Sequence, residues 1–474
     1  MSHECNSFCI KRLPAILATK NLSRLGIAST AATIAGMLAP SRKLGLAAAT
    51  SIVVGESVAL GIFLTPASMA HDLGSPLLLA AVWCGMGLMT FCGALCYAAL
   101  AVRYPESGGD YIYLRYGFNE EVAFLFGWMS ATVVDPGVAA AMAVGVAPYF
   151  GQVIPMSPRM ITLIPALLLV SFAFVHSVGT RISGNFVSVL NFLKLSVLFG
   201  LVLFTFASGQ AHGANLHPFI ARRPGSELLF PALVGGIVSA FFSFGGWWQA
   251  GKIAGEVRNY QRNMPIAFTV GVTAVTLLYL LVSFSFLAVI PLEKVHSNTA
   301  FVAQFGQALF GAAGSRVLSL CVIVTVAGGL GALTMAAPRV YAAMARNGSF
   351  FPAFAKEHSR FGTPVAAIWL QTALALLAVW LGAFDRILAY VIFAAVAFLA
   401  LTTFTLFRIQ PPIRKWWFPV APILFIAGCV LTAVLILMHD PLPALLGIAI
   451  VLAGDPLRRI FLRGRPRPEN PPSA

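Results

Sequence analysis

Apolar runs of about 18–25 residues, parted by short polar breaks, recur along this 474-residue chain from about residue 44 onward. An α-helix needs that length to cross ~30 Å of hydrocarbon. Transmembrane β-barrels are written in short alternating segments instead, and none occur here. Charge agrees with the helical reading. Only 10% of residues are charged and 59% are hydrophobic, against roughly 25% charged in a soluble domain. A water-facing surface cannot be built from so little charge. Lipid must cover the helices, whose backbone groups bond within each helix.

Twelve spans are read at about 44–68, 77–101, 121–147, 160–178, 184–207, 229–254, 265–290, 315–337, 364–382, 386–407, 417–438 and 442–454, the last short and weak. Pro155, Pro158, Pro265, Pro291 and Pro364 sit at the breaks, where proline is expected. With both termini inside, most of the 31 lysines and arginines fall in cytoplasmic segments. The positive-inside rule then sets the orientation and places the chain in a cell membrane. It also explains the net charge of +15 as a topology signal, which argues against nucleic acid as a partner. The organisation that follows is a basic leader (1–43), a first five-helix unit (44–207), a second (229–407), two accessory helices (417–462) and a cytoplasmic tail (463–474).

The leader is basic with one acid, Glu4, and has no convincing signal-peptide core. Two readings stay open: a cytoplasmic tail, or a true start at Met37. Five of the seven cysteines lie inside apolar runs and behave as small hydrophobes. No metal-ligand spacing occurs, and no cofactor is expected. There is no HExxH, no Gly-x-Ser-x-Gly and no histidine cluster in the spans, so no catalytic set is assigned and an intramembrane enzyme is disfavoured.

Two spans carry glycines in a pattern that suggests interruption. The first reads Val54-Gly55-Glu56-Ser57-Val58-Ala59-Leu60-Gly61-Ile62-Phe63, and the sixth reads Phe242-Ser243-Phe244-Gly245-Gly246-Trp247-Trp248. Each opens a five-helix unit. Many transporters consist of two inverted repeats whose opening helices unwind at mid-membrane. Unwinding frees N–H groups for a carboxylate and C=O groups for an ammonium. Such a pair suits a zwitterionic amino acid, although glycine also serves plain helix packing. Phe242, Phe244 and Trp247 flank the sixth-span break.

Ionisable residues within spans are costly and usually face a cavity or a partner. Three are read here: Glu56, Asp135 and Lys194. Lys194 is expected behind the unwound part of span one, close enough to respond to Glu56 and couple protonation to helix movement. The alternative is that Glu56 or Lys194 snorkels from near a helix end. Asp135 precedes Pro136-Gly137, so a kink is expected. It either faces substrate or ties up backbone donors freed by the kink. Glu256 at the cytoplasmic end of span six and Arg339 after span eight offer charges for a gate, or Glu256 belongs to a solvated helix end.

These residues resemble the amino acid–polyamine–organocation superfamily, closest to its L-type and cationic amino acid transporter branches. The resemblance runs from about residue 44 to 462. It is carried by Val54-Gly55 through Gly61-Ile62-Phe63, by Tyr104-Pro105-Glu106-Ser107-Gly108-Gly109-Asp110, by Gly246-Trp247 with Gly255-Glu256-Val257-Arg258-Asn259, by Ala337-Pro338-Arg339 through Asn347-Gly348, and by Phe361-Gly362-Thr363-Pro364. It implies an all-α membrane protein of twelve transmembrane helices, a five-plus-five inverted repeat with broken helices one and six plus two extra C-terminal helices. It implies a substrate carboxylate at Ala59, Leu60 and Gly61, and a substrate amine at the carbonyls of Ser57, Phe242 and Gly245. Phe242 would cover the substrate. Lys194 matches a fifth-helix lysine that stands where sodium sits in sodium-coupled relatives, which favours proton coupling or exchange. The small residues expected at 59 and 60 are alanine and leucine, which narrows the backbone approach, while Gly245 replaces a larger residue and widens the side-chain pocket. The loop after span three lacks cysteine, so no disulfide-linked glycoprotein subunit is expected. The implied function is amino acid transport by alternating access. A sensor that binds amino acids without moving them is the rival reading.

Overall fold

The computed structural model describes residues 44–461, apart from 59–60, 107, 179–183, 297–300, 347, 349, 357, 359–362, 382–383, 410–414 and 440. Among these the chain is helical, and the only bridge of extended backbone joins Leu44 to Val257. Eight helices are long and apolar enough to cross a membrane, and a ninth candidate is a pair bent by 46°. Two shorter apolar helices, Phe192–Ala207 and Val365–Trp380, add to these. The protein is a multi-pass membrane protein.

The bent pair is α1 (Leu46–Ser57) and α2 (Gly61–Leu73), followed by α3 (Pro76–Arg103). Helix α3 starts where Ser75 caps and Pro76 stands in the first turn, the position where a missing N–H costs nothing. A short helix, α4 (Asp110–Gly117), precedes α5 (Glu120–Met129), capped by Asn119 with two acids in its first turn, as the helix dipole favours. A π-helical turn, Ser130–Val134, joins α5 to α6 (Asp135–Val153). Next come α7 (Pro158–Ser177), α8 (Gly184–Ala207) and α9 (Leu229–Phe244). A 3₁₀ run, Trp247–Glu256, leads to α10 (Tyr260–Val289). The chain ends with α11 (Phe301–Arg346), α12 (Val365–Leu381), α13 (Phe384–Phe404), α14 (Val420–His439) and α15 (Pro441–Phe461).

Helix α10 shows why no polar face is needed. Phe268, Val272, Val275, Tyr279, Val282 and Phe286 recur at helical spacing and are buried, while Val270, Leu277 and Leu281 on the other side are exposed. Both faces are apolar, as a helix with lipid behind it requires.

Several boundaries differ from the sequence reading. Span seven starts at Tyr260, so Pro265 lies inside its first turns rather than in the break. As the sixth helical residue it lies past the N–H groups that lack intrahelical partners, so it withholds one hydrogen bond from the Gln261 carbonyl. Span eight lies within α11, which consists of two helices joined at a non-helical kink where Gly311 has φ 68°, ψ −159°. The weak twelfth run is a 21-residue helix. Its Arg458 pairs with Glu121 at 2.6 Å, and Trp128 donates to the Ile450 carbonyl at 2.7 Å, which together dock α15 on α5.

Candidate functional site

Helical geometry stops twice near the middle of the protein. Helix α1 ends at Ser57, and the next residue, Val58, has φ −76°, ψ 63° with its N–H on the Val54 carbonyl. Ala59 and Leu60, expected to bind a carboxylate, lie outside the described residues. Gly61 opens α2 and is buried. In span six α9 ends at Phe244, Gly245 donates its N–H to the Phe242 carbonyl at 3.0 Å, and Gly246 takes φ +102°.

The two interruptions touch. A Cβ on Gly61 would sit 2.3 Å from the Ser243 Cα, and a Cβ on Gly246 would sit 2.5 Å from the Glu56 carbonyl oxygen. Both distances are far inside van der Waals contact, so only glycine fits at either place. Thr65 and Ser243 exchange a hydroxyl hydrogen bond of 2.8 Å across the junction.

A residue that sequence reasoning missed closes it. Tyr279 of α10 is fully buried, and its hydroxyl stands 2.8 Å from the Ser57 carbonyl and 2.6 Å from the Ser243 carbonyl. A phenol has one proton to donate, so the last carbonyls of α1 and α9 share it. Ser57 and Phe242 carbonyls, expected to hold a substrate amine, already accept from Tyr279 and Gly245 here. Each retains a second lone pair. Two residues back from Ser57, the Gly55 carbonyl accepts from Lys194 Nζ at 2.5 Å. The ammonium is bonded to backbone rather than to the Glu56 carboxylate, although its charge acts on Glu56. Glu56 itself is exposed, while Lys194 is buried.

Asp135 sits where the chain passes from π-helical to α-helical winding, and its N–H reaches the Ser130 carbonyl five residues back. The extra residue per turn accommodates Pro136, which has no N–H to offer and would crowd a regular turn. The sequence reading of a kink thus resolves into a π turn. The carboxylate accepts from the Ser130 hydroxyl at 2.9 Å and from the Tyr341 hydroxyl of α11.

Three aromatic residues flank the span-six break in different ways. Phe244 is buried against Trp83 and Tyr279, and Trp247 is buried among Tyr97, Phe268 and Phe425. Both are packing positions. Phe242 is half-buried. At the far end of the 3₁₀ run, Glu256 is exposed, and its carbonyl accepts the Leu44 N–H at 3.1 Å. Arg258 returns an N–H to the Leu44 carbonyl at 2.9 Å, tying the start of span one to the end of span six. Arg339 lies on α11, and its side chain is outside the described residues.

Beside the 3₁₀ run lies a small cavity of about 30 Å³, bordered by Asp110, Ser130, Asp135, Gln249 and Lys252 and by apolar side chains such as Phe126, Phe398 and Leu399. The sequence placed Lys252 at a helix end and Asp110 in a loop. Both face inward because the 3₁₀ run and α4 fold back under the break. Their signal was charge inside an otherwise apolar neighbourhood.

An all-helical bundle with this many helices of membrane-crossing length defines the class as a multi-pass membrane protein. Residues 44–447 match the family model described as amino acid permease, so the chain belongs to the amino acid permease family, within the amino acid–polyamine–organocation superfamily. The serine/threonine exchanger SteT of Bacillus subtilis is 26% identical over 434 residues, covering 88% of this chain and 96% of the exchanger. The large neutral amino acids transporter small subunit 2 of Homo sapiens is 27% identical over 442 residues, covering 89% of this chain and 81% of that protein. The human cystine/glutamate transporter is 24% identical over 434 residues, covering 89% and 85%. These relatives are named as transporters and an exchanger, which favours amino acid movement over sensing or catalysis.

Proposed function

We propose that this chain is a secondary active amino acid transporter that binds its substrate against the interrupted parts of spans one and six and works by alternating access. In this reading the twelve spans form two inverted five-helix units with two accessory helices, and both termini face the cytoplasm of a cell carrying the protein in its plasma membrane. The substrate carboxylate meets backbone N–H groups around Ala59, Leu60 and Gly61. The amine meets carbonyls of Ser57, Phe242 and Gly245, with Phe242 as the covering aromatic ring. Glu256 and Arg339 contribute to the cytoplasmic gate.

The observation that carries this reading is the junction itself. Gly61 lies against Ser243, and Gly246 lies against the Glu56 carbonyl, in contacts too close for any side chain. Two helices that merely packed would have no need to end there. Peptide groups released at both ends within one contact region suit a dipolar solute.

Coupling is proposed to pass through Lys194. Its ammonium holds the Gly55 carbonyl at 2.5 Å, so loss of that charge would release the end of α1. Proton coupling and exchange both fit this arrangement. The exchanger named above makes counterflow the second mode to test.

The test is uptake in proteoliposomes, with each of the twenty L-amino acids as competitor at two pH values. Saturable, stereoselective uptake is expected. A Lys194→Ala protein that kept wild-type pH dependence would remove the coupling role. A protein that bound amino acids yet moved none, with or without internal substrate, would restore the sensor reading.

A further inference from the structure

We infer that Lys252 is a selectivity residue: its ammonium acts as a tethered counter-ion in the acidic cavity beside the 3₁₀ run and excludes amino acids with cationic side chains. The inference rests on the proposed substrate site and deepens it by naming a substrate class, amino acids without a side-chain cation.

The cavity is acidic and incompletely satisfied. Asp110 is 1% exposed, and one of its oxygens accepts from the Tyr97 hydroxyl. Gln249 Oε1 is buried with no hydrogen-bond partner. Both residues border the same space as Asp135. An acceptor without a donor beside two buried carboxylates makes a place for a cation, because a buried carboxylate without a counter-charge is costly.

Lys252 supplies that charge from within the chain. It borders the same cavity as Asp110 and Asp135. Its stem is held, with Cγ 3.0 Å from where a Cβ on Gly109 would lie. Among the described residues its ammonium makes no ion pair within 4.0 Å, so it is tethered yet not locked to one carboxylate. A lysine stem with several rotors can follow the acceptors. A substrate bearing its own side-chain cation would meet a like charge where it needs a counter-charge. A neutral side chain would not.

The experiment compares wild-type, Lys252→Met, Lys252→Gln and Lys252→Arg proteins in proteoliposomes in choline buffer at neutral pH. The probes are radiolabelled L-arginine, L-leucine and L-serine. Size-exclusion profiles and melting curves establish folding, and the two neutral variants guard against one failing to fold. The readout is the ratio of arginine uptake to neutral amino acid uptake, which a purely structural role would leave unmoved. We expect that ratio to rise at least ~10-fold in the neutral variants and to stay at the wild-type value in Lys252→Arg. Adding Asp110→Asn to Lys252→Met should reduce the gain. Folded neutral variants that take up leucine or serine with an unchanged ratio would overturn the role of Lys252 while leaving the substrate site standing. Wild-type protein that prefers arginine would overturn it as well. Absence of uptake for every probe and every competitor in all proteins would overturn the substrate site, and this inference with it.

Discussion

Replacing Tyr279 with phenylalanine isolates one hydroxyl at the meeting point of spans one and six. The ring contacts survive: Trp83 and Phe244 lie with centroids 5.2 and 5.1 Å away, and phenylalanine keeps the same faces and edges. What disappears is the proton shared by the Ser57 and Ser243 carbonyls at 2.8 and 2.6 Å. Tyr279 and Ser243 are 0% exposed and Ser57 is 1% exposed, so bulk water does not replace the donor. A buried acceptor left unmet costs about 1–3 kcal/mol. Because a single proton served both carbonyls, the loss is counted once, and Tyr279→Phe should cost about 1–3 kcal/mol, a factor of roughly 5–150 in a local equilibrium. The effect should be local, since the hydroxyl ties two helix ends rather than the bundle. Amide hydrogen exchange by mass spectrometry reads it directly. Peptides covering residues 54–64 and 240–250 should exchange faster by that factor, while a peptide within Val420–His439 keeps its rate. Unchanged protection in both junction peptides would refute the reasoning. Equal acceleration everywhere would mean the hydroxyl serves global stability instead.

Gly246→Ala should destabilise by more than the ~1–3 kcal/mol typical of overpacking, because it adds a left-handed backbone at φ +102° to a contact of 2.5 Å with backbone; the folded fraction on size exclusion and initial uptake rate check it. Asp135→Ala should cost ~1–3 kcal/mol by stripping the acceptor from Tyr341 and Ser130, and Asp135→Asn, which keeps an acceptor, should cost less; melting curves for the pair separate a framework role from a purely substrate-facing one. Arg458→Ala should change stability by only about 0–1 kcal/mol, less at high salt, since its partner Glu121 is half-exposed; melting at low and high salt tests this.

The helical, membrane-spanning character was legible because lipid imposes one length and one polarity on every span, and that pattern survives in each run taken alone. Of the glycines expected at the interruptions, only Gly246 is demanded by backbone geometry, at φ +102°, whereas Gly61 is demanded by its contact with Ser243, which only the fold supplies. Tyr279, Asp110 and Lys252 were not legible. A tyrosine inside an apolar helix reads as packing, and a lysine after a helix break reads as a cytoplasmic end. Only the fold brings Tyr279 under two carbonyls 222 and 36 residues away, and only the 3₁₀ winding of Trp247–Glu256 turns Lys252 inward.

The same contrast separates the two aromatic residues next to the span-six break. Phe242 and Phe244 lie two positions apart, and a helix places such neighbours on different faces. One is half-buried at the junction and the other fills the space between Trp83 and Tyr279. Their types and spacing are identical in either role, so assignment needed the packing of α3 and α10 behind them. Charges obey the same logic. Glu56, Asp110, Asp135, Lys194 and Lys252 lie far apart in the chain, yet the two lysines divide the work by what they touch. Lys194 is committed to the Gly55 carbonyl, which ties it to the end of α1. Among the described residues Lys252 pairs with no single carboxylate, and it borders the cavity that Asp110 and Asp135 line. A cation fixed to backbone suits control of a helix end, and a cation shared among acids suits control of what may enter the cavity beside them.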